Sequence, residues 1–476
     1  MSLLGPDRIL SEVRAALADA PGPTIATVKA YDVDVCRFAE SRVHQPQALR
    51  NHLVTVRVFR DRRVGEATIN DISRTGVQRA IARAWASAEA LPPAPDGYPL
   101  PGEAPAHDGD ATAFDRAATD EGWDDATAAA GPAEKAPFLA RTFAQAETEG
   151  IRLAGAWSTG GVERAVVDSG GLERYFRSTR AGLKVWALKA DGGGDASSFA
   201  GVNTGRLDRI DPARVAATAL ERCRLAVGPT PLDPGPIDVV LSAHAVAELL
   251  DWMAMTGFNS RAHLQGTGFL ADREGTRITG EAISIAEDPR ADAPDAALLP
   301  FDDDGVTCRR VGLIEAGIAG TPVHSRWSAA KAGGGCASTG SSKIGGMTPD
   351  PGGQPRRLRV APGDSSEAAL IAGVERGLFL TRFHYVNGML DPRRALMTGL
   401  TRDGAFRIED GRLVGAAHNL RWTEPILEAF QRVDGVASEL EAIPGWWLDD
   451  EVHLCPALRV RGFTFTGRQE LAAVDD

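Results

Sequence analysis

The sequence predicts an α+β protein of two domains: an α+β unit over residues 1–233, then a largely β unit over residues 234–476. Three observations carry this. In the first half, blocks with helical apolar spacing are separated by alternating runs. Between residues 151 and 194 the alternating runs are punctuated by Gly-rich turns, the pattern of a β-meander. After Gly257, Gly, Pro and Asp become frequent, and the expected strands are short and long helices few.

In chain order, Ile9, Leu10, Val13 and Leu17 share one face of a helix starting near Pro6. Strands follow over 28–38 and 53–69, the second broken by a tight turn at residues 60–63. Asn70-Asp71-Ile72-Ser73 supplies capping residues for an Ala-rich helix from Arg74 to Ala90. Residues 91–110, rich in Pro, Gly and Ala, read as a linker with no core to make. Residues 111–130 fit no single pattern, and 137–149 read as helix. Short strands are expected over 153–158, 165–169, 172–179 and 183–190, with turns at Gly160-Gly161, Gly170-Gly171 and Gly192–Gly194. Asp211 caps a helix with Pro212 in its first turn. Pro234-Gly235-Pro236 marks the domain boundary, Ile237 to Ser242 is a buried strand, and a helix follows from Ala243 to Met255.

Of the 476 residues, 43% are apolar and 24% charged, enough apolar material for a sizeable core. With 52 Lys and Arg against 64 Asp and Glu, the formal charge is -12, which gives no electrostatic reason to seek nucleic acid or an anionic membrane. The cysteines Cys36, Cys223, Cys308, Cys336 and Cys455 are dispersed, with no CxxC spacing, which argues against a disulfide framework. The N-terminus lacks the pattern of a secretory signal, and no run approaches the roughly 18 apolar residues of a membrane span. The expectation is a cytoplasmic protein.

Candidate chemistry is sparse. His244 and Glu248 lie one turn apart on the helix after the buried strand, as two ligands of a metal site would. A catalytic zinc takes three protein ligands, and His263 lies too far along to share that helix face. Arginines flank Cys308 in Val306-Thr307-Cys308-Arg309-Arg310 and would lower its thiol pKa; Cys336 sits in a Gly-rich loop. Asp302-Asp303-Asp304-Gly305 lacks calcium-loop spacing and reads as a turn before a strand. Gly333–Gly335 and Gly345-Gly346 flank Ser338–Lys343 without the strand and helix of a phosphate loop. Trp446-Trp447 reads as core or dimer surface. No residue is assigned a catalytic role on these grounds.

Several stretches resemble the TldD/PmbA metalloprotease family. Val54 to Gly65, then Ala67 to Asp71 and Asn70-Asp71-Ile72-Ser73, is similar to the family's strand, charged turn and helix start. Asp168-Ser169-Gly170-Gly171-Leu172 resembles its Asn-Ser-x-Gly turn. The most specific stretch runs from Pro300-Phe301-Asp302-Asp303-Asp304-Gly305 through Arg309-Arg310 to Leu313-Ile314-Glu315-Ala316-Gly317, and continues to Lys331. Gly377 to Thr381 and Phe406 to Gly411 look like family strands, and the resemblance spans nearly the whole chain.

The resemblance implies the family's two-domain fold. It also implies a branch: TldD-type chains carry a zinc-binding HExxxH helix, and PmbA/TldE-type chains do not. His244 sits where the first histidine would be, but Ala245 replaces the glutamate and Leu249 the second histidine. The chain therefore looks like the PmbA/TldE branch. On that footing it is a non-catalytic subunit with no zinc of its own. Its TldD-like partner supplies the zinc, and the pair degrades or trims unstructured peptides. Two other readings remain: a stand-alone peptidase with a site rebuilt from His244, Glu248, His384 or a cysteine, and a homodimeric binding or scaffold protein.

Overall fold

The computed structural model of the chain describes residues 3–103, 111–190, 195–289, 298–344, 352–446 and 450–468. The first half is one antiparallel sheet of β1 (Thr24–Ala39), β2 (Arg42–Arg60), β3 (Arg63–Ile69), β4 (Arg152–Asp168), β5 (Glu173–Ala190) and β6 (Asp195–Thr204), in the order β3-β2-β1-β4-β5-β6. Helices α1 (Pro6–Leu17) and α2 (Arg74–Ala88) cover one part of it, burying Ile9, Val13, Val77 and Ile81 against Val28, Val54 and Val56. After α3 (Ala111–Gly122) and α4 (Asp125–Ala129), α5 (Pro132–Thr148) and α6 (Pro212–Leu225) bury Leu139, Phe143, Ala219 and Leu220 against Leu153, Trp157, Leu183 and Val185. Asp211 caps α6 through its side chain, which accepts from the Arg214 N–H at 3.0 Å, as expected.

Two sequence readings fail here. The turn expected at Gly160-Gly161 is absent, and β4 runs through it, as β5 runs through Ala181-Gly182. Gly160 stands opposite Val33 with φ +154°, and a Cβ there would lie 2.2 Å from the Asp32 carbonyl oxygen, so the glycine admits a close strand approach. The segment 91–103 also has a core to make. Tyr98 stacks on Phe59 with ring centroids 5.7 Å apart and meets Trp327 edge-on at 5.2 Å, while Leu100 packs in the same cluster. Residues 104–110, Gly192–Gly194, Gly345-Gly346 and Trp447, which also figured in the sequence reading, lie outside the described residues.

The second half contains β7 (Gly235–Leu241), β8 (Ile285–Glu287), β9 (Val311–Glu315), β10 (Ile318–Ala319), β11 (Leu358–Val360), β12 (Arg376–Asp391), β13 (Leu396–Glu409), β14 (Arg412–Ala416), β15 (Leu420–Pro425), β16 (Val433–Val436), β17 (Glu441–Pro444), β18 (Val452–Cys455) and β19 (Leu458–Arg468). Strands β12, β7, β19, β15 and β13 pair in that order, and β13 pairs back onto β12 to close a ring. A second sheet runs β10-β9-β8-β11-β18-β17. Between them lies the largest apolar core, with Phe258, Phe383, Trp422 and Phe463 fully buried. Helix α7 (Ala243–Met253) follows β7, packs against β12 and β18, and runs into a π-turn at Ala254–Phe258.

The halves are joined through Asp302-Asp303-Asp304. The stretch is a turn, as expected, closed by the Phe301–Thr307 bridge, and its three aspartates are fully buried. The Asp303 carboxylate accepts from Lys29 Nζ at 3.0 Å and Arg164 Nη1 at 2.9 Å of the first sheet. It also accepts from the Ile344 N–H at 2.7 Å, and Arg356 lies 3.6 Å away. Its carbonyl oxygen accepts from Thr27 Oγ1 and Arg57 Nη2, and Arg57 pairs with Asp304 at 2.5 Å. Asp450 holds Lys343 at 3.0 Å and also pairs with Arg164 and Arg356. Burial and the crowding cations Lys29, Arg356 and Arg164 pull the Lys343 ammonium down to about 6, against the pull of Asp303.

Removing the central charge takes the paired carboxylate from Lys29 and leaves Arg164 and Arg356 with only Asp450. Asp303→Asn is expected to destabilise the fold by about 3–5 kcal/mol, read as a lowered urea midpoint. A change under about 0.5 kcal/mol, the size of an ordinary surface substitution, would show that the pairs do not hold the halves together.

Candidate functional site

The candidate site is the polar stripe of α7. Strand β7 delivers the chain through the fully buried Val239, Val240 and Leu241 to Ser242. Ser242 caps the helix, accepting from the Ala245 N–H and donating to the Thr381 carbonyl at 2.6 Å. Ala245, Val246, Leu249, Leu250 and Met253 are buried in the core. His244, Glu248 and Asp251 recur at the four- and three-residue spacing that places side chains on one helix face.

At the first turn, His244 meets Phe199 of β6 edge-on, centroids 4.9 Å apart, and hydrogen-bonds to the Gly201 backbone. Its Nε2 is buried with no partner. Burial, Lys184 and Arg382 push the imidazole down to about 3. One turn on, Glu248 accepts from the Phe383 N–H at 2.5 Å and pairs with Arg382 at 3.5 Å. Burial raises it to about 8 against the pull of Arg382. Arg382 also reaches Asp403 at 3.6 Å and lies over the rings of Phe199 and Trp186. Trp186 Nε1 donates to Asp403 at 3.0 Å.

At the last turn, Asp251 Oδ1 faces His453 Nε2 of β18 at 2.9 Å, and Oδ2 accepts from the Trp446 N–H at 3.2 Å. Glu451 Oε1 lies 3.5 Å from the same His453 nitrogen. Asp251, Glu451 and His453 are all buried, and one ligand atom from each lies within 4.8 Å of the others.

The residues singled out from sequence fall as follows. His244 and Glu248 share the helix face, but Glu248 is engaged by Arg382 and Phe383, and two cations face His244. Beside His244 on the helix, Ala245 and Leu249 offer no donor side chain, and Lys184 and Arg382 repel a cation at His244. His384 lies toward Arg402, Arg382 and Asp403, at the rim of the same polar group. The flanking arginines do not activate Cys308. Its buried thiol donates to the Gly340 carbonyl at 2.9 Å and is pushed up by burial and Asp302. Cys336 is exposed, yet its thiol too is raised. His263 faces Glu274 at 3.5 Å, and Trp446 is 67% exposed. Sequence reasoning passed over Asp251, although its spacing from His244 and Glu248 was a legible signal; its partners are about 200 residues away.

With this geometry in view, the likenesses to known proteins are informative. The pattern of the PmbA/TldA metallopeptidase C-terminal domain matches residues 234–467, and that of the family's central domain matches 126–226. A metalloprotease of Methanothermobacter thermautotrophicus is 24% identical over 279 residues, covering 58% of this chain and 60% of the relative. One of Methanocaldococcus jannaschii is 26% identical over 183 residues, covering 38% of this chain and 39% of its own. The matched region thus spans less than two thirds of these relatives. TldE from Thermococcus kodakarensis superposes with a TM-score of 0.80 at 19% identity, covering 97% of this chain and all of the other. A putative modulator of DNA gyrase from Thermotoga maritima gives 0.79 at 15% identity, covering 97% of this chain and all of its own. The fold is that of metallopeptidase-like α+β proteins. The chain belongs to the PmbA/TldD family.

The two shifted groups of α7 have opposite pH signatures. Unfolding lets His244 take up a proton at its ordinary 6.5, whereas the folded chain does so only near 3, so stability rises with pH across that interval. Glu248 stays protonated in the fold up to about 8 but ionises at about 4.5 when unfolded, so its contribution falls as pH rises between those values. His244→Phe, which keeps the ring against Phe199, should raise the urea midpoint relative to the parent more at about pH 4.5 than at about pH 7.5. Glu248→Gln should flatten the decline between about pH 5 and about pH 8. Parallel stability profiles for parent and variants would show that neither group is shifted.

Proposed function

We propose that this chain is the TldE/PmbA-like subunit of a TldD/TldE-type metalloprotease that degrades or trims unstructured peptides in the cytoplasm. In this reading it is not itself catalytic, and a TldD-like partner supplies the zinc. What supports the reading is that, in the register the family resemblance implies, Ala245 and Leu249 stand at the zinc-motif positions, with Lys184 and Arg382 facing His244.

What remains for this chain is to bind and position. β3 pairs with β2 only from Val54 onward, so among the described residues Arg42 to Leu53 pairs on one side only, with β1. An extended peptide, or a strand of a partner chain, can add to such an edge through main-chain hydrogen bonds, which suits low sequence selectivity. The far part of β12 exposes Tyr385, Met389 and Leu390, of which Tyr385 is 83% accessible, and such a patch fits burial against another chain. The same features would serve a homodimer.

The test is cleavage of a quenched-fluorescent unstructured peptide by the purified chain, alone and after co-expression with a TldD-like chain. Cleavage is expected only from the pair, and a chelator should abolish it. Chelator-sensitive cleavage by the chain alone would overturn the reading in favour of a rebuilt stand-alone site. Failure of the chains to associate would favour a homodimer without proteolysis.

A further inference from the structure

We propose that a groove over β8 and β11, on the face of the second sheet turned away from α7, binds a free α-amino acid with an aliphatic side chain. Its lining residues take no part in the proposed subunit role.

The strand register places the groove. β8 and β11 pair antiparallel, with Ile285 opposite Val360, Ala286 opposite Arg359 and Glu287 opposite Leu358. Side chains alternate across a sheet, and Ile285, Leu358 and Val360 enter the core that also holds the apolar side of α7. Ser284, Ala286 and Asp288 therefore face the other way, together with Arg359 and Ala361. With Arg310, just before β9, and Pro362, they line a groove of about 200 Å³. That is below the roughly 300–1,000 Å³ of sites for drug-sized ligands, so the occupant is a small molecule.

The polar groups of the groove stand close together without using up one another's hydrogen bonds. Arg310 Nε lies 3.9 Å and Arg359 Nη1 3.7 Å from the same Asp288 oxygen, Oδ2. Both separations exceed hydrogen-bond length. Among the described residues Arg359 has no other ionic partner, and Arg310 reaches only Glu315 besides, at 3.5 Å. Asp288 is 9% exposed, and its remaining oxygen has no donor among the described residues. Ser284 Oγ accepts from the Ala316 N–H at 2.9 Å, which leaves its hydroxyl proton to donate.

The charges select the ligand. A bare anion meets two guanidiniums but is repelled by Asp288, and a bare cation meets Asp288 but is repelled by two guanidiniums. A zwitterion satisfies both. Its carboxylate takes donors from Arg310, Arg359 and Ser284, and its ammonium donates to Asp288. The opposite charges of the groove are only 3.7 and 3.9 Å apart, so the ligand's own charges must be adjacent. An α-amino acid carries both on one carbon, whereas the two ends of a peptide are separated by the chain between them. Ala286, Ala361 and Pro362 supply apolar surface beside the charges, which suits an aliphatic side chain.

The experiment uses the full-length chain, without partner or peptide, titrated with L-leucine by isothermal titration calorimetry. Its outcome is thus read apart from the cleavage test of the subunit role. Acetate and L-leucinamide, which each keep one of the two charges, are the controls. Leucine is expected to bind at one per chain, about tenfold or more tightly than either control, the size of one charge-assisted hydrogen bond. Arg359→Gln should weaken leucine binding by about tenfold or more, and Arg359→Lys should recover part of the loss. Asp288→Asn should remove the preference for leucine over acetate. Where Asp288→Asn fails to fold, the two variants of the more exposed Arg359 decide. No heat from leucine at millimolar concentrations, equal binding of leucine and acetate by the parent, or unchanged binding in Arg359→Gln would overturn the inference.

Discussion

The two halves of this molecule meet around one buried carboxylate. Asp303 collects Lys29 and Arg164 from the first sheet and Arg356 from the second half, with the Ile344 N–H completing its coordination. Charges this deep are tolerable only when paired and hydrogen-bonded, so each side chain is committed to its partners. Asp302 and Asp304 extend the junction. Asp302 takes backbone N–H groups from Asp304, Val306 and Ser342, and Asp304 pairs with Arg57. The acidic turn is thus the hinge pin between the halves, and the polar stripe of α7 lies within the half it anchors.

How much of this was legible in the sequence depends on the range of each interaction. Local signals were read well. The Asp211-Pro212 helix start and the strand before His244 rest on neighbours in sequence, where propensity and capping act directly, whereas β12 and β13 run to 16 and 14 residues where short strands were expected. Glycine misled where its meaning is set from outside the strand: Gly160 reads as a turn until Asp32 is seen to press against it. Tyr98 reads as linker until Phe59 and Trp327 are in place. Asp302-Asp303-Asp304 reads as an ordinary turn before a strand, and its role as a buried ion cluster is hidden because its cations lie far away in the sequence.

The site shows the same limit. His244 and Glu248 stood out because one turn of helix joins them. What each does is decided by Arg382, Lys184 and Phe199, which no local pattern links to them. The register that would put Ala245 and Leu249 at the motif positions comes from the resemblance alone, and the structure adds that Lys184 and Arg382 face His244. Asp251 needed only the next helical step to be noticed, but its meaning needed His453 and Glu451 from another strand.

The separation along the chain also sets an order of events. Lys29 and Asp303 are 274 residues apart, and Arg57 and Asp304 are 247 apart. During synthesis the first sheet can form long before its counter-ions leave the ribosome, so Lys29, Arg57 and Arg164 must stay hydrated on an unfinished face. Docking of the two halves is then the late step. It trades that hydration for the aspartate turn, so the nascent first half passes through a stage in which it is markedly more basic on one face than the finished protein.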